Sequence, residues 1–363
     1  MENKIGNDLD IKDIQILRTL DSRNDSRIST EEISNILDIP ARSIRYRINR
    51  LKEKGFLKSK TIIAHERKLG IRESFIVIKE NPKQRKKFLK IIAENPTLNW
   101  YVPTIGKNNG YIVHSINTVD IKKHPKTLFE KRKKHDIILD FHIFELIDYV
   151  EKGWNYDYFN ESGDWTWSWS LWFDQIESEE ITNEEINFIE NSEITIFDHI
   201  DIQILKYLYL NSEITQKEIG KKLDLSESQI SRRIKSMEQS GIIRGYRSGF
   251  NPFTKTIAIL CVIHLANNLK EITGLLNQIP YPKTIAFESL ATIALGLVIP
   301  AHEIEDFLNG IHLLNAKVDD NWIQIYLQDP IPNIENFFDL FDYESNNWNK
   351  LVVEYDNIIK KYF

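Results

Sequence analysis

Apolar residues near the start of the chain recur every three or four positions, which is the spacing of one face of an α-helix. They predict three short helices over residues 10–20, 31–37 and 41–54. A tight turn over residues 38–40 precedes the third helix, and a strand or wing over residues 56–64 follows it. Ser29 or Thr30 is suited to cap the second helix, and Gly55 to end the third. This order of elements predicts a winged helix-turn-helix.

The next stretch has the pattern of a mixed domain, in which β-branched and aromatic strands alternate with amphipathic helices. The elements follow the order strand, helix, strand, strand, helix, strand, over residues 74–78, 83–94, 100–105, 111–116, 124–135 and 138–147. That order is the ferredoxin-like split βαβ arrangement. The sequence therefore predicts an α+β fold.

The whole pattern occurs twice along the chain. Ile14-Gln15-Ile16-Leu17 recurs as Ile202-Gln203-Ile204-Leu205. The elements of the second copy are predicted over residues 198–210, 216–223, 226–240, 256–265, 268–278, 283–289, 292–299, 301–315 and 321–327. The predicted fold is thus two winged helix-turn-helix domains, each followed by a ferredoxin-like βαββαβ domain, made by internal duplication.

Each copy ends in an aromatic tail. In the first, Trp165, Trp167 and Trp169 alternate with small polar residues, a spacing of two that predicts a strand with one indole face. We expect this face to pack between the halves, because aromatic area of that size is more often core or interface than a ligand cage. An acidic linker over 174–201 follows. The predicted domains are 1–70, 71–150, 151–195 (tail and linker), 196–256, 257–330 and 331–363 (second tail).

Composition narrows the class of protein. The longest apolar runs, 257–265 and 293–301, are shorter than the ~20 residues that a membrane span requires, and the N-terminus has no apolar signal core. Cys261 is the single cysteine of the 363-residue chain, which excludes an intrachain disulfide and a multi-cysteine zinc site. We predict a cytoplasmic protein without a metal, another cofactor or membrane contact.

The net charge of −6 hides an uneven distribution. Residues 1–150 hold 30 Lys and Arg against 20 Asp and Glu, a net charge of +10, whereas residues 151–363 hold 17 against 33, a net charge of −16. Within the predicted winged domains, the window 40–70 has ten basic and two acidic residues, and the window 226–256 has six and two. This concentration indicates a polyanionic partner.

The third helix of each winged domain carries the predicted interface. Its apolar face is expected to be buried, which leaves the opposite face to enter the major groove of double-stranded DNA. Arg can bind guanine, Asn and Gln can bind adenine, and Lys or Ser can hold phosphates. The predicted DNA-binding residues are Arg42, Ser43, Arg45, Tyr46, Asn49, Arg50, Lys58 and Lys60 in the first copy and Ser228, Gln229, Ser231, Arg232, Lys235 and Arg244 in the second.

These segments resemble the Lrp/AsnC, or feast/famine, family of transcriptional regulators. The resemblance rests on Asp198–Leu205, Leu225–Lys235 and Gly241-Ile242-Ile243, with a looser match over Asp10–Leu17 and Ile39–Leu57. It implies winged domains that bind DNA, βαββαβ domains that pair their sheets in a dimer, and a small effector, often an amino acid, between subunits. Two copies in one chain then imply a covalent pseudo-dimer, with recognition helices about one DNA turn (~34 Å) apart on an asymmetric site.

One departure from the family pattern bears on the effector. Family members commonly have Gly-Asp in the central hairpin, near the effector pocket. This chain has Gly106-Lys107 in the first copy and Ser289-Leu290-Ala291 in the second, so we assign no effector residues. A fused pseudo-dimer can also assemble further, and the oligomeric state stays open.

Two other classes of function stay open. Haem-biosynthesis decarboxylases share this Lrp-like architecture and would need a His or Arg that faces an acidic tetrapyrrole. His114, His142 and His264 lie on predicted strands, but a lone strand His is more often structural, and no second catalytic group has a helpful spacing. We therefore predict that the chain is not an enzyme. The other class is a protein-docking scaffold that uses the indole face and the acidic linker.

Overall fold

The computed structural model describes residues 9–21, 28–118, 125–178, 193–253, 255–333 and 337–362. The first winged domain consists of α1 Ile11–Asp21, α2 Thr30–Leu37, α3 Ala41–Glu53 and β1 Leu57–Ala64. The elements that follow it are β2 Ile71–Glu80, α4 Arg85–Ala93, β3 Leu98–Gly106, β4 Gly110–Thr118, α5 Pro125–Lys134, β5 Ile138–Leu146, β6 Asp148–Lys152 and α6 Trp169–Glu177.

The second half repeats this order. Its winged domain consists of α7 His199–Leu210, α8 Gln216–Leu223, α9 Glu227–Gln239 and β7 Ile243–Phe250. The elements that follow are β8 Thr256–His264, α10 Leu269–Gln278, β9 Lys283–Ser289, β10 Thr292–Pro300, α11 Ile304–Leu314, β11 Asp320–Tyr326, β12 Ile331–Pro332 and α12 Asn349–Tyr362. The predicted fold, two winged helix-turn-helix domains each followed by a ferredoxin-like domain, is confirmed.

Local sequence sets the boundaries of the second helix in each winged domain. Ser29 caps α2 by accepting a hydrogen bond from the Glu32 backbone N–H at 3.1 Å, while the Glu32 carboxylate accepts one from the Ser29 backbone N–H at 2.7 Å. Thr215 and Glu218 form the same reciprocal cap on α8. Such capping boxes satisfy backbone donors that the first turn of a helix leaves unpaired.

Each βαββαβ domain forms a four-stranded antiparallel sheet, in the order β5-β2-β4-β3 in the first half and β11-β8-β10-β9 in the second. The two sheets join where β3 pairs with β11 and where β9 pairs with β6. Because β5 continues through Ile147 into β6, the strand order returns to its start and the sheets close around a shared core. That core contains Val77, Ile112, Val262 and Ala294.

Strands β1 and β7 pair with each other as an antiparallel ribbon that joins the two winged domains. Leu57 pairs with Phe250 and Ala64 pairs with Ile243. The first residue of each strand therefore faces the last residue of the other, which is the register expected of two equivalent strands related by a two-fold axis. The sequence predicted a strand or wing here, but not its partner in the other copy.

Each winged domain shares its core with the opposite half. Ile14 of α1 belongs to one continuous core with Ile311 of α11, and Leu205 of α7 belongs to another with Ile71 of β2. The aromatic tails cross over in the same way, and the indole nitrogens of Trp154, Trp172 and Trp348 donate at 2.8 Å to the carbonyls of Phe250, Leu275 and Leu69. The two halves are thus held together because the winged domain and tail of each one pack against the other.

The prediction that Trp165, Trp167 and Trp169 lie on a strand is wrong. Trp169 begins α6, and Trp165 makes an isolated bridge with Phe159. The side chains nevertheless pack between the halves, since the Trp165 indole donates to the Tyr281 hydroxyl at 2.9 Å and the Trp169 indole to Glu303 at 2.8 Å. Residues 179–192 of the predicted acidic linker lie outside the described residues.

Cys261 is buried in β8, and burial raises the pKa of its thiol to about 12. The residues described by the structure contain no group of three or more His, Cys, Asp or Glu side chains that could hold a metal ion. Among the same residues, no helix has the length and apolar character needed to cross a membrane.

The contact of α6 with α11 has no room for a side chain at Gly310. A Cβ atom there would lie 2.0 Å from Trp172 Cζ3 and 2.6 Å from Cε3. We predict that Gly310→Ala lowers the free energy of unfolding in urea by about 1–3 kcal/mol, because overpacking outweighs the better helix propensity of Ala. Gly296→Ala is the matched control, since its Cβ would have no neighbour nearer than 3.8 Å. Equal losses in the two variants would contradict the prediction.

Candidate nucleic-acid interface

Helix α3 presents a polar face that the rest of the protein leaves exposed. Ile44 and Leu51 are buried on one side of the helix. The opposite side exposes five of the predicted residues, and the Tyr46 side chain is 68% exposed. These residues are Arg42, Ser43, Arg45, Tyr46 and Asn49. Arg45 makes an exposed ion pair with Glu31 at 3.1 Å, which costs little to release.

Helix α9 has the same arrangement with different chemistry. Ile230, Ile234 and Met237 are buried, whereas four predicted residues are exposed and Ser231 is half-buried. The four are Ser228, Gln229, Arg232 and Lys235. The Gln229 side-chain oxygen accepts from the Ser226 backbone N–H at 2.8 Å in a capping box, which leaves the amide NH₂ group outside the cap.

Two predicted residues have internal partners, and the structure corrects their assignment. The Arg244 guanidinium donates to the buried Asp148 carboxylate and, at 2.6 Å, to the Tyr149 carbonyl, so it fastens β7 to β6. Arg50 donates to the fully buried Asp13 carboxylate of α1. Both guanidinium groups are therefore committed to the fold, which sequence spacing within one helix or strand could not show.

The predicted lysines of the first copy lie on the ribbon. Lys58 is exposed on β1, next to Gly249 of β7. Lys60 is half-buried, and its carbonyl accepts a hydrogen bond from the Ser212 hydroxyl. Contact of these lysines with DNA stays a prediction, as it does for the exposed residues of α3 and α9.

An ion cluster that was not predicted from the sequence joins each third helix to the start of the first. Arg47 Nη1 lies 2.8 Å from both Asp10 and Asp13, at the start of α1. Arg233 repeats the arrangement, at 3.0 Å from Asp198 and 2.8 Å from Asp201. The signal was available, because an Asp-x-x-Asp start and an Arg in the third helix occur in both copies.

Each ion cluster lowers the pKa of one carboxyl group, that of Asp10 in the first copy and that of Asp198 in the second. Burial alone would raise the pKa of Asp10, but hydrogen bonds from Arg47 and from the Asp13 backbone N–H outweigh it, and the net shift is downward. The pKa of Asp198 is lowered in the same way, by the Asp201 backbone N–H and by Arg233. The carboxylates therefore stay ionised in the folded protein at neutral pH.

A cavity of about 670 Å³ lies between the ribbon and the closed sheet. His114 lines it, with Nε2 at 3.0 Å from Glu73 and its ring stacked on Trp100 at 5.4 Å. The other two strand histidines have different surroundings. His142 meets the edge of Trp322 and its pKa is lowered by burial, while His264 Nδ1 lies 3.2 Å from the Thr292 hydroxyl.

Comparison with known proteins shows a family match in both winged domains and similarity to transcriptional regulators. A family of winged helix-turn-helix DNA-binding domains matches residues 9–58 and 197–244. The chain is 31% identical over 137 residues to the HTH-type transcriptional regulator LrpB of Bacillus subtilis, which covers 36% of this chain and 87% of that protein. It is 39% identical over 127 residues to LrpA of Pyrococcus horikoshii, which covers 34% of this chain and 89% of that protein.

Fold and sequence together define a duplicated winged helix-turn-helix protein. The chain belongs to the Lrp/AsnC family of transcriptional regulators. The family resemblance inferred from the sequence is thereby confirmed.

Two solved structures share the fold of the whole chain. The crystal structure of the siroheme decarboxylase NirDL covers 95% of this chain and 99% of its own, with a TM-score of 0.58 at 10% identity. Its complex with an iron-uroporphyrin III analogue covers 96% and 98%, with a TM-score of 0.57. The prediction that the chain is not an enzyme is therefore wrong, because a siroheme decarboxylase has the same fold along nearly the whole chain.

The Asp–Arg cluster yields a prediction about stability. Arg47→Met removes two ion pairs and leaves the buried Asp13 with one fewer cation. We expect the free energy of unfolding at pH 7, measured in urea, to fall by about 2–3 kcal/mol. Arg42→Met is the control, because Arg42 is exposed on the same helix, and it should change stability by less than about 0.5 kcal/mol.

The loss of stability in the Arg47→Met variant should also depend on pH. Because the folded-state pKa of Asp10 is below its value in the unfolded chain, its contribution is present above about pH 4 and is lost as the pH falls through the folded-state pKa. The difference between the wild type and Arg47→Met should be constant from about pH 8 to 5 and shrink below about pH 4. A difference that stayed unchanged at about pH 3 would show that the ion cluster is not its source.

Proposed function

We propose that the chain is a sequence-specific DNA-binding transcriptional regulator that acts as a covalent pseudo-dimer. The observation that carries the proposal is the symmetric ribbon, in which Leu57 pairs with Phe250 and Ala64 with Ile243. This register joins two winged domains, each with an exposed polar third helix, in one molecule. Dimeric helix-turn-helix proteins bind two half-sites about one helical turn apart, and a duplicated chain supplies both helices without association.

The two recognition helices favour an asymmetric DNA site. α3 exposes two arginines, Arg42 and Arg45, which suit guanine and phosphate contacts. α9 exposes Ser228, Gln229 and Arg232, a set with more amide and hydroxyl character. Different side chains at equivalent positions prefer different base edges, so the proposed operator has two unlike half-sites.

The proposal also assigns the domains of the chain and its location in the cell. The proposed domains are 1–70 and 196–256 for DNA, 71–150 and 257–330 for assembly, and 151–195 and 331–363 as the tails. The relatives with high coverage are transcriptional regulators, which supports a cytoplasmic location. Further homo-oligomerisation and a small effector are compatible with the family, and neither has an assigned residue.

DNA binding can be tested by fluorescence anisotropy of duplex DNA at several salt concentrations. We expect binding that weakens steeply with salt, because each neutralised phosphate releases counterions. The double variant Arg42→Ala/Arg45→Ala should weaken binding and lower the log–log salt slope by about 2, or one per lost phosphate contact. Arg232→Ala/Lys235→Ala should do the same through the second copy.

The matched control removes two positive charges elsewhere. Lys126 and Lys133 lie on α5, outside both winged domains, and their side chains are 66% and 51% exposed. Lys126→Ala/Lys133→Ala should leave the slope unchanged. An equal loss in this control would mean that net charge, and not the recognition helices, drives binding. An absence of binding at low salt would overturn the proposal.

A second candidate function is chemistry on a tetrapyrrole. It is favoured by one specific observation, the likeness of the whole chain to the fold of a siroheme decarboxylase. His114 is the histidine that lines the large cavity, and it touches Glu73 there. A scaffold that docks partners through an exposed indole face has less support, because Trp169 is buried and Trp165 and Trp167 are half-buried.

The tetrapyrrole candidate predicts saturable binding of iron-uroporphyrin III. Titration should shift its main visible absorption band at a ratio of one per chain, and incubation with sirohaem should release carboxyl groups as CO₂, each replaced on carbon by a proton from water. His114→Gln should weaken binding at least tenfold, whereas His312→Gln, on the exposed side of α11, should not. No spectral shift at micromolar protein would remove this candidate.

A further inference from the structure

The cavity between the ribbon and the closed sheet has the size of a small-molecule site. Its roof includes Thr61 and Ile63 of β1 and Arg247 of β7, and its floor is the inner face of the closed sheet. Its volume of about 670 Å³ is in the range of ligand pockets. None of its described lining residues belongs to the hairpin turns 107–109 and 290–291, so this site is distinct from one near the central hairpins.

Strand register identifies equivalent lining positions on the central strands of the two halves. His114 is the fifth residue of β4, and Gly296 is the fifth residue of β10. Trp100 of β3 pairs with His114, and Thr284 of β9 pairs with Gly296. All four residues line the cavity. A stacked indole and imidazole in the first half therefore correspond to a small side chain and a bare backbone in the second.

The neighbouring strands show the same difference. Glu73 of β2 opposes Ile116, the seventh residue of β4, and Ala258 of β8 opposes Val298, the seventh residue of β10. Glu73 and Ala258 both line the cavity. The small side chains of the second half thus provide the space, and the large side chains of the first half provide the aromatic and polar groups.

Two carboxyl groups of the lining bond to each other. Glu66, in the turn after β1, is buried and hydrogen-bonds to Glu73. Two carboxyl groups can form this bond only when one of them holds a proton. Burial, together with the charge of Glu73, raises the pKa of Glu66 well above its ordinary value, so the proton belongs to Glu66. Tyr209 donates to the other Glu66 oxygen, and His114 Nε2 lies 3.0 Å from Glu73. The Glu73 carboxylate therefore has two partners within the protein.

The other charged groups of the lining are occupied or lie in solvent. Arg247 pairs with Glu151 at 3.0 Å, and the buried Lys283 ammonium donates to a backbone carbonyl. Lys58 and Asp329 are exposed, so water screens their opposite charges. Among the described lining residues, a charged ligand deep in the cavity would find no vacant group of opposite sign.

The surface that remains for a ligand is aromatic and apolar. The Trp100 ring is stacked on His114 with centroids 5.4 Å apart, and Phe75 meets Trp100 at 5.8 Å. Ala258 and Gly296 leave the opposing wall open. Burial of an unpaired charge is costly, whereas burial of apolar area is favourable. These walls therefore favour a ring without a charge.

We propose that this cavity binds an uncharged aromatic small molecule. Its ring would pack against Phe75 and Trp100 and fill the space that Ala258 and Gly296 leave. The proposal is independent of DNA binding, since its residues lie outside α3 and α9. It is also independent of the tetrapyrrole candidate, because uroporphyrins carry several carboxylates.

Indole, tryptamine and indole-3-acetate share one ring system and differ in charge, which makes them suitable probes for the full-length chain. We expect indole to bind measurably by calorimetry at pH 7 and to raise the melting temperature, and the larger uncharged 3-methylindole to bind at least as well. The tryptamine cation and the indole-3-acetate anion should each bind at least tenfold more weakly, because neither charge finds a partner. Equal or tighter binding of either ion or of iron-uroporphyrin III, or no binding of indole at millimolar concentration, would overturn the ligand class.

Two isosteric variants test the charge balance of the lining. Glu66→Gln replaces a neutral carboxyl with a neutral amide that can still donate to Glu73, so it should keep the wild-type preference. Glu73→Gln removes the carboxylate beside His114 and leaves a protonated imidazole to pair with an anion at about pH 6. It should bind indole-3-acetate at least tenfold more tightly than the wild type at that pH. Unchanged binding of indole-3-acetate in Glu73→Gln, or the same gain in Glu66→Gln, would overturn the charge balance.

Steric variants test the location of the ligand without touching the carboxyl groups. Gly296→Leu and Ala258→Leu should each fill the space and abolish indole binding. Gly296→Ala should retain it, because its Cβ would have neighbours no nearer than 3.8 Å. Ala316→Leu, at an exposed position after α11, is the matched control for an added leucine and should bind as the wild type does. Circular dichroism and cooperative unfolding in urea would identify the folded variants, and unchanged indole binding in a folded Gly296→Leu or Ala258→Leu would overturn the location.

Discussion

The antiparallel pairing of β1 with β7 is the constraint on which the rest of the structure depends. A strand that leaves a winged domain unpaired exposes a row of backbone donors and acceptors, and each copy solves this problem with the strand of the other copy. The ribbon places the two winged domains beside each other, and Trp154 then binds the Phe250 carbonyl across it. Because the tails and winged domains also cross to the opposite half, neither winged domain has a core of its own.

Covalent duplication removes a restriction that symmetry imposes on a homodimer. In a two-fold symmetric dimer, every substitution occurs twice, so a carboxyl group added to a shared cavity brings a second one with it. In this chain, Glu73 and Ala258 occupy equivalent positions, as do His114 and Gly296, and the cavity between them has a polar side and an open side. The same freedom lets α3 and α9 present different side chains on one frame.

Local sequence patterns predicted the helices and strands well, because capping and periodicity act over a few residues. Ser29 or Thr30, for example, was expected to cap α2, and Ser29 forms a capping box there. Contacts between distant segments could not be read in this way. Arg244 seemed free for phosphate until Asp148, 96 residues away, was seen to bind it, and Trp169 continued an alternating pattern although it begins a helix packed on the other half. The cavity depends on the same distant pairings.

A shared fold does not decide between regulation and catalysis, since both activities are known on this frame and each depends on its own site. The ribbon connects the two sites physically. It is the roof of the cavity through Ile63 and Arg247, and it is also the join between the domains that carry α3 and α9. A cavity ligand that bound one ribbon geometry better than another would therefore change the spacing of the recognition helices, and DNA would change ligand affinity by the same factor. The coupling, if measured, would have to be equal in both directions.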